Sequence, residues 1–275
     1  MDLDHARRVA VEAARAAGDL LREGTTGTLA VLPKGGSGDV VTDLDLAAEK
    51  LLLERVLTAF PRHCVIAEEA GVLGTPGGEW TWLIDPLDGT NNVAIGLPLY
   101  VVGLALCHHG VPALGVVHDP VTGRTWSAIR GRGALGPDGP LATPPRRALP
   151  HGPVLAWTQG HGVARDDPAM RRLKGNLEAH ARRMLQLWAP LLSWVLLARG
   201  DIDGFVGYRP EVVDLPAGAL IAQEAGLAVC ALDGGPYEGS IHPPGRDHSF
   251  VAARPELVPG LVALAAGPDG PPLSP

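Results

Sequence analysis

The chain has 275 residues, of which 46% are hydrophobic and 19% charged, and its formal net charge is −7. This is a globular composition, long enough for one large domain or two small ones, and it excludes a disordered chain. The acidic balance, with lysine only at Lys34, Lys50 and Lys174, argues against a nucleic-acid binder, which would carry a dense basic face.

No apolar run reaches the roughly 18–20 residues that span a bilayer. The opening Met1-Asp2-Leu3-Asp4 places acid where a signal peptide is basic. Cys64, Cys107 and Cys230 are few, odd in number and widely spaced, which suits a reducing compartment rather than a disulfide scaffold or zinc site. The expectation is a soluble, cytoplasmic protein with neither membrane nor nucleic acid as partner.

In chain order, apolar positions at Leu3, Ala6, Ala10, Ala13, Ala14, Ala17, Leu20 and Leu21 predict a helix over 3–22, ended by Gly24 to Gly27. A second helix is expected from Thr42, an N-cap with Asp45 three residues on, to Phe60, where Pro61 stops it. Cys64 to Ala67 reads as a buried strand running into Glu68-Glu69, followed by a Gly/Pro loop from Gly71 to Gly78. Thr81 to Ile84 is another strand, delivering Asp85-Pro86-Leu87-Asp88-Gly89-Thr90-Asn91-Asn92, whose last four residues begin a helix. Strands at 99–107 and 113–118, turned by Gly110-Val111-Pro112, and a third at Thr125 to Ile129 predict a meander.

Residues 136–153 are rich in Pro and Gly and read as a linker. Beyond it the expectations are a strand at Val154 to Trp157, a helix at Asp167 to Glu178, and an apolar helix from roughly Trp188 to Ala198. A strand follows at Phe205 to Gly207, then a helix over 214–225 with Asp214 at its start and Gly226 as C-cap. The whole reads as one domain over 1–265, with subregions about 1–140 and 150–265, and a disordered Gly/Pro-rich tail at 266–275. Helices and strands in both halves, with a meander in the first, predict a mixed α/β or α+β layered sandwich.

Asp85 and Asp88, three residues apart around Pro86, can face one point from a tight turn. Hard divalent cations such as Mg²⁺ take oxygen ligands of this kind. The helix expected to start at Gly89 would aim free amides and a positive dipole end at the same spot, which favours phosphate. Asp-Pro and Asp-Gly are also ordinary turn dipeptides, and the hexapeptide alone fits both readings. Glu68-Glu69, 17 residues before Asp85 and also at a strand end, favours the site. The segment from Lys34 to Asp45 reads as a glycine loop followed by an acidic first helical turn, and Asp214 as an N-cap.

Together these residues resemble the inositol monophosphatase family, within the lithium-sensitive, magnesium-dependent phosphatases. Three stretches carry the resemblance: Asp85-Pro86-Leu87-Asp88-Gly89-Thr90-Asn91-Asn92; Glu68-Glu69 after an apolar strand; and Asp214-Leu215-Pro216-Ala217-Gly218-Ala219 with Glu224-Ala225-Gly226. Order and spacing agree from about residue 5 to 255. The resemblance implies a layered α-β-α-β-α sandwich, a homodimer, and hydrolysis of a small sugar or polyol phosphate with two or three Mg²⁺, for which Mn²⁺ can substitute. It implies that Glu68, Asp85 and the Leu87 carbonyl bind one metal, and Asp85, Asp88 and Asp214 a second. Gly89 and Thr90 would hold the phosphate. Thr90 and Asp45, with Glu68, would act on the attacking water, and Lys34 and Asp39 would ride a mobile catalytic loop.

The chain departs from the family pattern at several points. Val93 stands where an aromatic is usual, and Val213 replaces the Trp before the last Asp. Gln186-Leu187-Trp188-Ala189-Pro190 replaces a small-residue substrate loop, and Gly207 stands near the place of a carboxylate that contacts inositol hydroxyls. The metal core therefore reads more clearly than the leaving group. Fructose bisphosphate, histidinol phosphate and 3′-phosphoadenosine nucleotides are alternative substrates. A role through protein contacts, as some family members have on the transcription machinery, is the alternative of another class.

Other signals carry less. Gly131-Arg132-Gly133-Ala134-Leu135-Gly136 matches a dinucleotide fingerprint, but Pro137-Asp138-Gly139-Pro140 follows in place of a helix, so it reads as a turn. No G-x-S-x-G elbow is present. His108-His109 is expected as a solvent-facing turn lacking a third metal ligand. Trp188 and Trp194 are expected in the core or a dimer interface.

Overall fold

The structure is a computed structural model, and it describes residues 1–27, 29–35, 38–144, 152–237, 239–242 and 245–267. Helix α1 (Leu3–Gly24) starts where the Asp2 carboxylate accepts from the amides of Asp4 and His5 at 2.9 and 3.0 Å, an N-cap worth ~1 kcal/mol. Strands β1 (Val31–Lys34) and β2 (Asp39–Thr42) form a small antiparallel hairpin. Helix α2 (Asp43–Ala59) opens with the expected capping box of Thr42 and Asp45. Then come β3 (Cys64–Ala67), β4 (Gly71–Leu73), β5 (Trp80–Asp88), the short α3 (Thr90–Ala94), β6 (Val101–His108), β7 (Val111–Asp119), β8 (Arg124–Ile129), β9 (Ala134–Gly136) and β10 (Gly139–Leu141). The second half holds β11 (Val154–Gln159), α4 (Pro168–His180), β12 (Arg183–Leu185), α5 (Pro190–Arg199), β13 (Gly204–Tyr208), α6 (Pro216–Glu224), β14 (Ala228–Ala231), β15 (Phe250–Ala253) and α7 (Val258–Ala266).

An eight-stranded sheet has the order β10-β9-β8-β7-β6-β5-β3-β4, and a five-stranded sheet the order β12-β11-β13-β15-β14. Helices α1 and α2 cover the outer face of the large sheet, α5 and α6 lie between the sheets, and α4 with α7 covers the small sheet. The layers are α-β-α-β-α, as the resemblance implies. The alanine face of α1 (Ala6, Ala10, Ala13, Ala14, Ala17) is fully buried, and its small side chains let the helix lie close on the sheet. Between the sheets, Trp194 stacks on Phe250 with centroids 4.6 Å apart, and Phe205 meets both edge-on at 5.0 Å. Trp194 is thus in the core, as expected. No described helix is long and apolar enough to cross a membrane.

Several expectations are corrected. The Lys34–Asp45 segment is not a plain loop, because β2 lies within it and pairs with β1. Residues 71–73 pair with β3 inside the expected Gly/Pro loop. Within 136–153, Gly139–Leu141 pairs with β9, and residues 145–151 lie outside the described residues. Of the expected tail, Ala266 ends α7, while 268–275 lie outside the described residues.

Candidate active site

Strands β3 and β5 run parallel with Ala67 opposite Ile84, so the next residues, Glu68 and Asp85, leave neighbouring strand ends side by side. The pairing of β5 with β6 breaks between Asp85 and Asp88 in a bulge, a distortion that turns consecutive side chains to one side. Asp85 Oδ1 accepts from the Leu87 amide at 3.1 Å, closing the turn around Pro86. Gly89 follows at φ 115°, where a Cβ would fall 2.6 Å from the Leu99 carbonyl oxygen, so only glycine fits.

The middle helices supply the opposite wall. Gly103 on β6 leaves room for Leu191, whose side chain would lie 2.2 Å from a Cβ there. That close approach brings the first turn of α5 to Asp88, whose Oδ2 accepts from the amides of Leu191 and Leu192 at 2.7 and 3.3 Å. Gly115 on β7 abuts the backbone of Ala217 in the same way, which seats α6 and the preceding Asp214. Asp214 is not the N-cap it was expected to be. Leu215 holds that position and no side chain caps the helix, so the Asp214 carboxylate is left for the cleft.

One cleft, enclosing about 90 Å³, is lined by Glu68, Asp85, Leu87, Asp88, Gly89, Thr90 and Asp214, with Asp39 at its edge. Burial, and then the neighbouring carboxylates, hold Asp85 and Asp214 well above the ordinary range. Burial does the same to Asp88 despite the α5 amides, and raises Glu68 as well. Beside them Asp45 is buried and raised by desolvation, although it accepts from the Thr42 amide at 2.8 Å and from the Thr42 hydroxyl. The Thr90 hydroxyl lies 2.6 Å from Asp45 Oδ1 and 2.9 Å from the Leu87 carbonyl oxygen, and its single proton serves one of them.

From β1, Lys34 donates to Glu68 at 2.8 Å and to Glu69 at 2.6 Å. Burial opposes its charge, but these carboxylates outweigh burial and raise its pKa. Asp39 on β2 accepts from the Asn91 side chain at 3.2 Å. The hairpin therefore carries both residues of the expected catalytic loop to the rim of the acidic cluster.

The rest of the rim is formed by Trp157, Thr158, Gln159, His161, Gln186, Trp188 and Pro190. Trp188 was expected in the core or at an interface. It is not in the core of this chain but 56% exposed at the mouth of the cleft, with a left-handed backbone at φ 53°. Its loop is tied down by the Asn92 side chain, which donates to the carbonyls of Leu187 and Leu99, both at 2.7 Å. The acid missing at Gly207 has a steric reason, because the Phe250 ring would lie 2.3 Å from a Cβ there. Glu211 turns toward the same region, with Oε1 3.3 Å from where a Cβ on Gly160 would sit. Sequence reasoning did not single out His161, Gln159 or Thr158, because nothing in their spacing marks the far end of β11 as a cleft wall.

The family pattern of inositol monophosphatases matches residues 2–266. The chain belongs to the inositol monophosphatase family. It is 33% identical over 253 residues, 91% of each chain, to a Nus factor SuhB of Pasteurella multocida. It is also 33% identical over 210 residues, 74% of this chain and 56% of the relative, to the chloroplastic phosphatase IMPL1 of Arabidopsis thaliana. Among solved structures, the inositol monophosphatase of Anabaena superposes with a TM-score of 0.82 at 27% identity over 99% of both chains. The suhB protein of Bartonella henselae superposes with a TM-score of 0.85 at 27% identity, over 95% of this chain and 98% of that one. These likenesses give the inositol monophosphatase fold.

Proposed function

We propose that this family member is a Mg²⁺-dependent phosphomonoesterase acting on inositol monophosphate or related small sugar and polyol phosphates. The observation that carries the reading is the convergence of Glu68, Asp85, Asp88 and Asp214 in one cleft with a single lysine at its edge. Four carboxylates held this close repel one another, and each resists ionisation by burial. An all-oxygen donor set of that kind fits a hard divalent cation. In this reading Glu68, Asp85 and the Leu87 carbonyl hold one ion, and Asp85, Asp88 and Asp214 another. Bound Mg²⁺ would neutralise the phosphate and lower the pKa of water.

The chain's own groups do the rest. Asp45 accepts a proton through the Thr90 hydroxyl and so orients the attacking water. The amides of Gly89 and Thr90 hold phosphate oxygens, and Lys34 sets the position of Glu68. The leaving alcohol lies toward Trp188, Gln186, Gln159 and His161; Trp188, Gln186 and His161 are exposed, so water can replace a missing substrate hydroxyl and the wall selects weakly. Beyond Gln159 and Gln186 the surface continues to Arg165, Arg171 and Lys174, which attract anionic substrates to the mouth.

The free, buried cysteines accord with a cytoplasmic location, and the family likeness with a homodimer. The name Nus factor on the first relative favours a second reading, that the protein acts through contacts with other proteins. Purified protein with Mg²⁺ and a panel of phosphate esters separates the two. Phosphate release from several esters supports the enzyme, and none from any supports the second reading.

A further inference from the structure

Far from the cleft, at the start of β5, three metal-binding side chains meet. Trp80 pairs with His108 across β5 and β6, and the His109 amide donates to the Glu79 carbonyl at 2.8 Å. This pairing brings Glu79 beside two histidines 29 and 30 positions later. One ligand atom from each of Glu79, His108 and His109 lies within 4.8 Å of the other two. His108 Nε2 and Glu79 Oε1 are 3.3 Å apart. Two donors on a tetrahedral Zn²⁺, at ~2.05 Å from the ion, are separated by about the same 3.3 Å.

The surroundings hold these groups in place. The Trp80 ring stacks on His108 with centroids 4.4 Å apart, and His63 stacks behind Trp80 at 6.2 Å. His109 and Gly110, at φ 48° and 80°, are the left-handed central pair of the two-residue loop between β6 and β7, which fixes the His109 backbone beside Glu79. Solvent reaches the cluster, since the Glu79 and His108 side chains are 62% and 44% exposed.

We propose that Glu79, His108 and His109 form a second metal site, selective for transition ions such as Zn²⁺ or Ni²⁺. Two imidazoles and one carboxylate suit these ions, whereas Mg²⁺ takes oxygen donors. Three protein ligands leave a position open for water, so the ion exchanges with solution and is not permanently buried. Along the chain into β5, Glu79 stands roughly 20 Å from Asp85, six residues at ~3.3 Å each, so the two sites bind independently.

Calorimetric titration of the full chain with Zn²⁺, in excess Mg²⁺, tests this. One Zn²⁺ is expected to bind, at least ~10-fold more weakly in His109→Ala and in Glu79→Gln, and with unchanged affinity in Asp85→Asn. Ni²⁺ is expected to quench tryptophan fluorescence in the wild type and to lose that quench in Trp80→Phe. Glu79 and His109 are exposed, so the metal-free melting temperatures of His109→Ala and Glu79→Gln should match the wild type and exclude misfolding. The proposal is overturned if no Zn²⁺ binds, if His109→Ala and Glu79→Gln bind it like the wild type, or if Asp85→Asn abolishes binding.

Discussion

Gly115→Ala tests whether packing far from the chemistry sets the acidic cluster. The added methyl would sit 2.6 Å from the Ala217 carbonyl oxygen and 2.9 Å from its Cα, against 3.4 Å for ordinary contact. These are backbone atoms of α6, so no rotamer change relieves them. The helix must retreat by about 0.8 Å (3.4 − 2.6), and Asp214, three residues before Ala217, moves with it. Overpacking of this kind costs ~1–3 kcal/mol, or roughly 2–10 °C in Tm at this size. A misplacement near 1 Å costs up to ~10² in rate. We expect kcat/KM on inositol 1-phosphate to fall by ~10–100-fold, with weaker Mg²⁺ activation. Gly175→Ala on α4, where nothing lies within 4 Å of the new Cβ, is the control and should gain ~0.5–1 kcal/mol. A lowered Tm with unchanged kcat/KM would refute the link between β7, α6 and Asp214.

Li⁺ is expected to inhibit uncompetitively in the millimolar range when Mg²⁺ is limiting, and insensitivity in steady-state assays would count against an ion position at Asp88 and Asp214. Without metal, the raised carboxylates bind protons in the folded protein that the unfolded chain has released, so their contribution to stability falls as pH rises. Burial lowers His63, His118 and His248, which pulls the other way with or without metal. The Tm gap between Mg²⁺ and chelator should therefore widen from pH 5.5 to 8, and a gap that narrows would contradict the account. For substrate breadth, kcat/KM values of inositol 1-phosphate and several small sugar phosphates should fall within ~10² of one another, whereas a preference above ~10⁴ would show polar selection of the leaving group.

The parts of the fold that the sequence made legible are those with long periodic patterns. The alanine stripe of α1, the capping box of α2 and the meander of β6 to β8 announce themselves in residue order. Strands β1 and β2 did not, because four-residue strands that stay partly exposed show no alternation and the glycines between them read as a loop. The acidic cluster was legible as two strand ends, but only its approach to α6 frees Asp214 from the capping role its place before Pro216 suggested. Trp188 was misread because helical spacing extends to it, yet the helix begins only at Pro190. The carboxylate beside His108 and His109 was missed for a different reason. Glu79 reaches them through the pairing of β5 with β6, which residue order does not display.

The central claim is that the carboxylates of this cleft hold Mg²⁺ for phosphate ester hydrolysis, and Asp85, which in that reading would serve both ion positions, bears on it most. The direct measurement is phosphate release from inositol 1-phosphate by wild type and Asp85→Asn, each with Mg²⁺ and with chelator. The account predicts wild-type turnover that chelator abolishes and Mg²⁺ or Mn²⁺ restores, and a loss of at least ~10³-fold in Asp85→Asn. Near-normal turnover in Asp85→Asn, or turnover that survives the chelator, would contradict it.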